Sequence, residues 1–256
     1  MEVDAYPNGV PSWVDLGTSD LPKARAFYSD LFGWSIEEGP PEAGGYSIAE
    51  LRGRPVAGLG PQQNPGPPYW TVYMNVDSAD ATATAITDNG GQVFMPPFDV
   101  MDVGRMAIAA DPTGAAFGLW EPKQHKGAGI VNEPNTFSWA ELVTDGVEAA
   151  KPFYTSVFGW TAETYGEGAG AYTEAKLGDR SVAGIMARPP TYPAEAPNSW
   201  GVYFTVTDTD EAAARINELG GSTFVPPMDI EPGRFAVVRD PAGAFFHVIT
   251  MKEPRG

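Results

Sequence analysis

The chain has 256 residues, 43% of them hydrophobic, which is enough for two cores of ordinary domain size. Its 33 acidic and 16 basic residues give a formal net charge of −17, which would repel nucleic acid and anionic lipid, and the absence of cysteine excludes disulfides and thiolate metal sites. No apolar run reaches the roughly 18 residues of a membrane-spanning helix, and residues 1–20 contain no lysine or arginine, so we expect a cytoplasmic protein with no signal peptide and no membrane partner.

The first part of the chain has the pattern of one strand, one helix and two further strands. Trp13–Leu16 alternates between its two faces, as a half-buried strand does. A helix that ends at Gly33 follows, because apolar residues recur at helical spacing at Ala24, Phe27, Tyr28 and Leu31. Short strands separated by turn residues are predicted around Tyr46–Leu51 and Pro55–Leu59.

The same scheme starts again after the Pro/Gly-rich residues 60–68. Thr71–Val76 alternates, and Ser78–Asp88 has the pattern of a helix closed by Gly90. Three more strands are predicted near Gln92–Met95, Arg105–Ala109 and Ala115–Trp120.

This whole unit then occurs a second time. Residues 12–16, 27–28, 32–34 and 56–58 return 126 positions later, and the match continues at offsets of 130 and then 129 to the turns Asp111–Gly114 and Asp240–Gly243. A match of this length indicates duplication of a folded unit. The second copy has predicted helices near Val147–Phe158 and Thr209–Leu219, and Pro152 is expected to kink or shorten the start of the first of these.

The duplication predicts two domains, at residues 9–122 and 136–252, joined by a linker at residues 123–135. The linker is rich in Gly, Pro and charged residues, and we expect its His125 to be solvated. Whether a cleft forms within each repeat or across the two repeats is left open by the sequence.

The alternation assigns one face of each sheet to the helices and the other face to a cleft. Val72, Met74 and Val76 share the face that should pack against helices. The opposite face mixes aromatic and polar side chains, which is typical of a small-molecule cleft. It carries Trp13, Asp15 and Tyr73 in the first repeat and Trp139, Glu141 and Tyr203 in the second. The alternatives are an ordinary solvated sheet face and a face closed by contact between domains.

These motifs resemble a known family. Paired modules, a Phe-Tyr helix ending in Phe-Gly-Trp, a Gly-Gly after the second helix and an Asp-Pro-x-Gly turn before the last strand resemble the vicinal oxygen chelate superfamily of glyoxalases, extradiol dioxygenases and bleomycin-resistance proteins. In particular, the chain resembles the two-domain glyoxalase-like proteins of actinobacteria, some of which accompany aromatic natural-product pathways. The resemblance implies an α+β fold in which four βαβββ modules form two half-open, eight-stranded barrels.

The resemblance also implies where metal-dependent members hold their metal. The corresponding positions here are Trp13, Gly58, Thr71 and Gly118 in the first domain and Trp139, Gly184, Gly201 and His247 in the second. Only His247 is a usable ligand, whereas a divalent cation needs about three with fixed geometry. We therefore expect no metal site and no cofactor.

An indole ring at a ligand position offers a flat surface for stacking, and the four glycines should open volume beside it. We expect a metal-independent binding protein for an aromatic or hydrophobic small molecule, such as a natural product or drug, acting in antibiotic resistance by sequestration or as an accessory to natural product biosynthesis. Its partners would be that ligand and an enzyme of the pathway, and the chain would be a monomer or a homodimer. The expected ligand-binding residues are Trp13, Asp15, Tyr73, Trp120, Trp139, Glu141, Tyr203 and His247.

Three alternatives remain open at this point. Trp13 and Trp139 could plug the barrels and leave no cavity. The chain could instead be a lyase, isomerase or hydroxylase-accessory enzyme in which Glu141 and His247 exchange protons as base and acid. It could also be a scaffold whose partner is another protein.

Overall fold

The computed structural model describes residues 1–63, 65–190, 192 and 196–253. Each repeat contains two copies of a strand–helix–three-strand module. The first repeat consists of β1 (Pro11–Thr18), α1 (Leu21–Phe32), β2 (Ser35–Ile36), β3 (Ser47–Leu51), β4 (Arg54–Pro61), β5 (Tyr69–Asn75), α2 (Ala79–Asp88), β6 (Gln92–Val100), β7 (Gly104–Ala110) and β8 (Ala116–Pro122). The second consists of β9 (Thr136–Thr144), α3 (Val147–Phe158), β10 (Thr161–Tyr165), β11 (Tyr172–Leu177), β12 (Arg180–Ala187), β13 (Ser199–Thr205), α4 (Thr209–Glu218), β14 (Ser222–Ile230), β15 (Gly233–Arg239) and β16 (Phe245–Met251).

Each repeat builds its own eight-stranded sheet. The strand order is β2-β3-β4-β1-β5-β8-β7-β6 in the first repeat and β10-β11-β12-β9-β13-β16-β15-β14 in the second. The two modules of a repeat meet where β1 pairs antiparallel with β5, with Trp13 opposite Tyr73. The clefts therefore form within the repeats, and the α+β fold of two half-open barrels is confirmed.

The helices begin and end as their sequences predict. The Asp20 side chain accepts a hydrogen bond from the Lys23 backbone N–H at the start of α1, and Gly33 ends this helix with a left-handed φ of 70°. Helix α3 nevertheless extends from Val147 with Pro152 inside it, so the proline does not shorten the helix start. A proline in the second turn removes only one backbone hydrogen bond.

The two domains interlock through the motifs that repeat in the sequence. Tyr28 of α1 donates to Asp240 in the last turn of the second domain at 3.2 Å, and Trp70 Nε1 donates to the same hydroxyl at 3.2 Å. The second copy repeats the contact, because Tyr154 donates to Asp111 at 2.9 Å. The Phe-Tyr and Asp-Pro-x-Gly motifs thus hold the domains together, in one hydrophobic core that includes residues of both. Among the described residues no helix is long and apolar enough to cross a membrane.

Candidate functional site: two clefts with different mouths

The concave face of the first sheet carries a hydrogen-bonded cluster around Asp15. Its Oδ2 accepts from the hydroxyls of Tyr73 at 3.0 Å and Tyr46 at 3.2 Å, and Trp13 Nε1 donates to Tyr46 at 2.9 Å. Burial raises the pKa of Asp15 to about 6, and the hydrogen bonds from the tyrosines act in the opposite direction. Three predicted residues therefore meet here, together with Tyr46, which the sequence analysis did not select.

The second sheet carries a related but different cluster. Tyr203 donates to Glu141 Oε1 at 2.7 Å, and its ring stacks on the His247 imidazole with centroids 4.1 Å apart and planes 7° apart. Trp139 Nε1 donates to Tyr172 at 2.9 Å, as Trp13 does to Tyr46 in the first domain. The predicted residues of the second domain are thus neighbours on the concave face.

His247 is buried, and burial lowers its pKa to about 4, so the imidazole is neutral near pH 7. Its Nδ1 lies 3.3 Å from the Val202 carbonyl oxygen. Tyr203 contacts both His247 and Glu141. A role for this pair in proton transfer stays a prediction.

Tyrosine rings occupy the space beside the glycines. A Cβ added at Gly58 would overlap the Tyr46 hydroxyl, one at Gly184 would overlap the Tyr172 hydroxyl, and one at Gly118 would overlap the Tyr73 ring. The expectation that these glycines open volume is therefore wrong, because each absent side chain makes room for a neighbouring tyrosine. At Gly201 the His247 ring occupies the corresponding space, because its Cε1 lies 2.8 Å from where a Cβ would be.

The residues at the eight implied ligand positions do not fit a metal ion. The indoles and glycines there have no ligand atom, and His247 is the one usable ligand at these positions. The described residues contain no group of three His, Cys, Asp or Glu side chains that could hold a metal ion. Asp15 and Glu141 are each bound by tyrosine hydroxyls instead.

The linker folds back over the first cleft. The His125 ring lies with its centroid 4.4 Å from Trp13 and 5.5 Å from Trp120, edge-on to both, and Trp120 Nε1 donates to the His125 carbonyl oxygen at 2.8 Å. Burial lowers the pKa of His125 to about 4. The expectation that His125 is solvated is therefore wrong, because backbone hydrogen bonds direct the linker onto the sheet.

Three backbone carbonyls hold this linker across the mouth of the first cleft. Val103 accepts from the His125 N–H at 3.0 Å, Ser12 from the Ala128 N–H at 2.8 Å, and Pro55 from the Gly129 N–H at 2.7 Å. Residues 123–131 thus close the mouth between the hairpin of β6 and β7 and the starts of β1 and β4.

The corresponding place in the second domain is an open groove of about 440 Å³. Ser138, Ser181 and Pro232 line it, and they are the counterparts of Ser12, Pro55 and Val103 in the repeat. Its lining also includes Tyr6, Val131, Phe137, Trp139, Glu174, Asp179, Arg180, Val182 and Met251. Two mouths of related sequence therefore differ: the chain itself covers one, and the other is a groove beside Trp139.

The sequence contains partial signals for the residues that were missed. Tyr46 and Tyr172 are 126 positions apart, in register with the repeat, so their recurrence could have selected them. His125 lies in a segment outside the matched positions of the repeat, and composition alone does not indicate that this segment packs against a sheet.

Comparison with known proteins agrees with this architecture. A model of the Glyoxalase/Bleomycin resistance protein/Dioxygenase superfamily matches residues 11–119 and 136–248. The chain is 45% identical over 253 residues to protein CFP32 of Mycobacterium tuberculosis (strain CDC 1551 / Oshkosh), covering 95% of each chain. It is 38% identical over 264 residues to the anthracycline biosynthesis protein DnrV of Streptomyces peucetius, covering 97% of this chain and 95% of the relative.

Solved structures share the fold at low sequence identity. The Mn(II)-bound glyoxalase from Novosphingobium aromaticivorans superposes with a TM-score of 0.68 at 17% identity, covering 97% of this chain and 84% of that one. The 2,3-dioxygenase LapB from Pseudomonas sp. KL28 gives a TM-score of 0.68 at 13% identity, with 97% and 95% covered. Because the family model matches both repeats and the relatives align over nearly the whole length, the chain belongs to the glyoxalase, bleomycin resistance protein and dioxygenase superfamily.

Proposed function

We propose that the protein binds an aromatic or hydrophobic small molecule at the mouth of the second cleft, without a metal ion, and serves as a sequestering or pathway-accessory protein. The observation that carries the proposal is the groove of about 440 Å³ beside Trp139. Its volume lies in the range of roughly 300–1,000 Å³ that is usual for small-molecule sites. We do not expect the first cleft to bind the ligand, because the linker covers its mouth.

The lining of the groove supports an aromatic ligand. Trp139, Phe137 and Met251 supply apolar surface, and Trp139 belongs to a hydrophobic cluster with Tyr203 and Ile249 that is separate from the main core. Stacking on an indole is worth roughly 0.5–1.5 kcal/mol beyond the burial of area. The relative named for anthracycline biosynthesis supports the pathway-accessory form of the proposal.

Titration calorimetry with a panel of planar aromatic compounds tests the proposal, with Trp139→Leu as the variant and Trp13→Leu as its matched control. We expect one ligand per chain, an affinity roughly three- to tenfold weaker in Trp139→Leu, and an unchanged affinity in Trp13→Leu. Binding should persist after dialysis against a chelator. Saturable binding that needs added metal, or no binding by any compound of the panel, would contradict the proposal.

A second candidate function is an enzyme that uses Glu141 and His247. The observation in its favour is Tyr203, which donates to Glu141 and stacks on His247. The low pKa of His247 keeps its imidazole neutral and weakly basic near pH 7, so at that pH it does not supply the acid that the base-and-acid scheme requires. Turnover of a bound compound that disappears in both His247→Ala and Glu141→Gln, with binding retained, would favour the enzyme over the binding protein.

A further inference from the structure

Arg180 supplies a positive charge to the groove of the second domain. It is the one basic residue among the described residues that line this groove, it is exposed, and none of the ion pairs between described residues includes it. Its charge nonetheless reaches the lining: burial raises the pKa of Tyr6, and the positive charge of Arg180 acts in the opposite direction. The groove therefore has a positive group at its rim without a partner in the described chain.

The counterpart of Arg180 in the first domain is Arg54, and its guanidinium pairs with two carboxylates. Arg54 pairs with Glu2 at 3.0 Å and with Asp4 at 3.1 Å, and it approaches the Gly129 carbonyl oxygen of the linker at 3.5 Å. In the first mouth, acidic and carbonyl oxygens thus surround the same arginine of the repeat.

The groups that fill the first mouth indicate which chemical groups a ligand could place in the second mouth. In the first mouth, an aromatic ring from His125 lies edge-on to Trp13, and carboxylate oxygens lie at Arg54. The second mouth presents the equivalent indole, Trp139, and the equivalent guanidinium, Arg180, on the lining of one groove. A ligand that supplies both missing groups would be an aromatic ring with an acidic substituent.

We propose that the groove selects aromatic ligands that carry a carboxylate or a similar acidic group, and that Arg180 is the residue that recognises this group. The inference rests on the proposed function, because it names the ligand class of the same groove. Arginine suits the task because its planar guanidinium can donate two parallel hydrogen bonds to a carboxylate.

The acidic residues of the lining should reduce the preference for an acidic ligand but not reverse it. Glu174 lies 3.3 Å from Lys176, which offsets its charge, and Asp179 is an exposed neighbour of Arg180 in sequence. Because Arg180 is exposed, its attraction for an acid is screened by water and salt. We therefore expect a preference of about fivefold for an acid over a neutral ligand of the same shape.

Two probes with the same ring system test the inference by titration calorimetry near neutral pH and at low salt: 2-naphthoate, which is charged, and 2-naphthamide, which is neutral. The wild-type protein should bind naphthoate about fivefold more tightly than naphthamide, and this preference should shrink in about 0.5 M salt. Arg180→Gln should bind both probes with the affinity that the wild type shows for naphthamide. Arg180→Lys should keep part of the preference, and Arg54→Gln, the matched control, should keep all of it.

The outcomes separate the inference from the function on which it rests. Equal affinity for the two probes in the wild type, or a preference that survives in Arg180→Gln, would overturn the role of Arg180 and leave aromatic binding intact. Loss of the preference in Arg54→Gln but not in Arg180→Gln would place the acid in the first mouth and overturn the inference as well. No binding of either probe would overturn the proposed function and the inference together.

Discussion

The two domains have the same strand order and the same indole–tyrosine hydrogen bond on their concave faces, but their mouths differ. The linker that follows the first domain folds back over the cleft of that domain and places His125 against Trp13. In the second domain the same place is a groove beside Trp139. A duplicated chain can thus become asymmetric through its linker, because the segment between two repeats can pack on one of them.

The largest effect should come from a substitution that lifts the linker off the first mouth. Gly127 has a φ of 102°, and a Cβ there would lie 2.5 Å from the Ser12 carbonyl oxygen. Gly127→Ala should therefore lower the free energy of unfolding by about 2–4 kcal/mol, measured by urea denaturation.

Gly159→Ala is the control for this substitution. Gly159 has a φ of 73° but nothing within 4 Å of an added Cβ, so its replacement should cost only about 1 kcal/mol of backbone strain. Equal losses in the two variants would show that the contact of the linker with Ser12 adds little.

Acid should destabilise the protein through its two histidines. Both have a folded-state pKa of about 4, below the ordinary 6.5, so the unfolded chain binds more protons between these values. Their contribution is fully present above pH 6.5 and is lost as the pH falls toward 4. For the buried His247 the loss should be about 1–3 kcal/mol, and for the half-exposed His125 it should be smaller.

Asp15 should change the pH dependence of stability in the opposite direction to the histidines. Its folded-state pKa of about 6 lies above the ordinary 3.8, so its contribution is present at low pH and is lost as the pH rises through 6. Urea denaturation between pH 7 and 4 should therefore show a shallower acid loss in His247→Gln and a steeper one in Asp15→Asn. An unchanged pH profile in both variants would contradict the assigned pKa directions.

The interface between the domains should respond to removal of a tyrosine hydroxyl on either side. Tyr28→Phe leaves a buried oxygen of Asp240 without its donor, and Tyr154→Phe does the same at Asp111. Each should cost about 1–2 kcal/mol in urea denaturation. A loss of stability in one variant and none in the other would mean that the two hydrogen bonds contribute unequally to the domain interface, although their geometry is similar.

The smallest effect on stability should come from His125→Ala, which removes the ring over Trp13 and leaves the backbone of the linker in place. We expect a loss of about 1 kcal/mol or less. The more informative readout is calorimetry with an aromatic ligand, in which a second, weaker binding event should appear. A single event with unchanged stoichiometry would indicate that the rest of the linker keeps the first mouth closed.

Much of the fold could be predicted from the sequence. The repeat identifies two domains of two modules each, and alternation places Trp13 and Tyr73 on one face, where they are paired across β1 and β5. These features depend on local periodicity and on the match between repeats, and both can be read from one chain.

The occupancy of the clefts could not be predicted in the same way. A glycine in a strand shows that a side chain is absent, but not which neighbour takes its space. Tyr46 lies at the start of the predicted strand Tyr46–Leu51, and nothing in the alternation indicates that its ring reaches Gly58. The docking of His125 depends on hydrogen bonds between the linker and residues distant in sequence, such as Ala128 with Ser12, which leave no periodic signal.

We expect ligands to enter the second mouth and not the first. A crystal structure of the wild-type protein soaked with 2-naphthoate would show which mouth is occupied. We predict density for one naphthalene ring against Trp139 with its carboxylate at Arg180, and His125 still in place over Trp13. Naphthoate bound against Trp13, with His125 displaced, would show instead that the first mouth is the binding site.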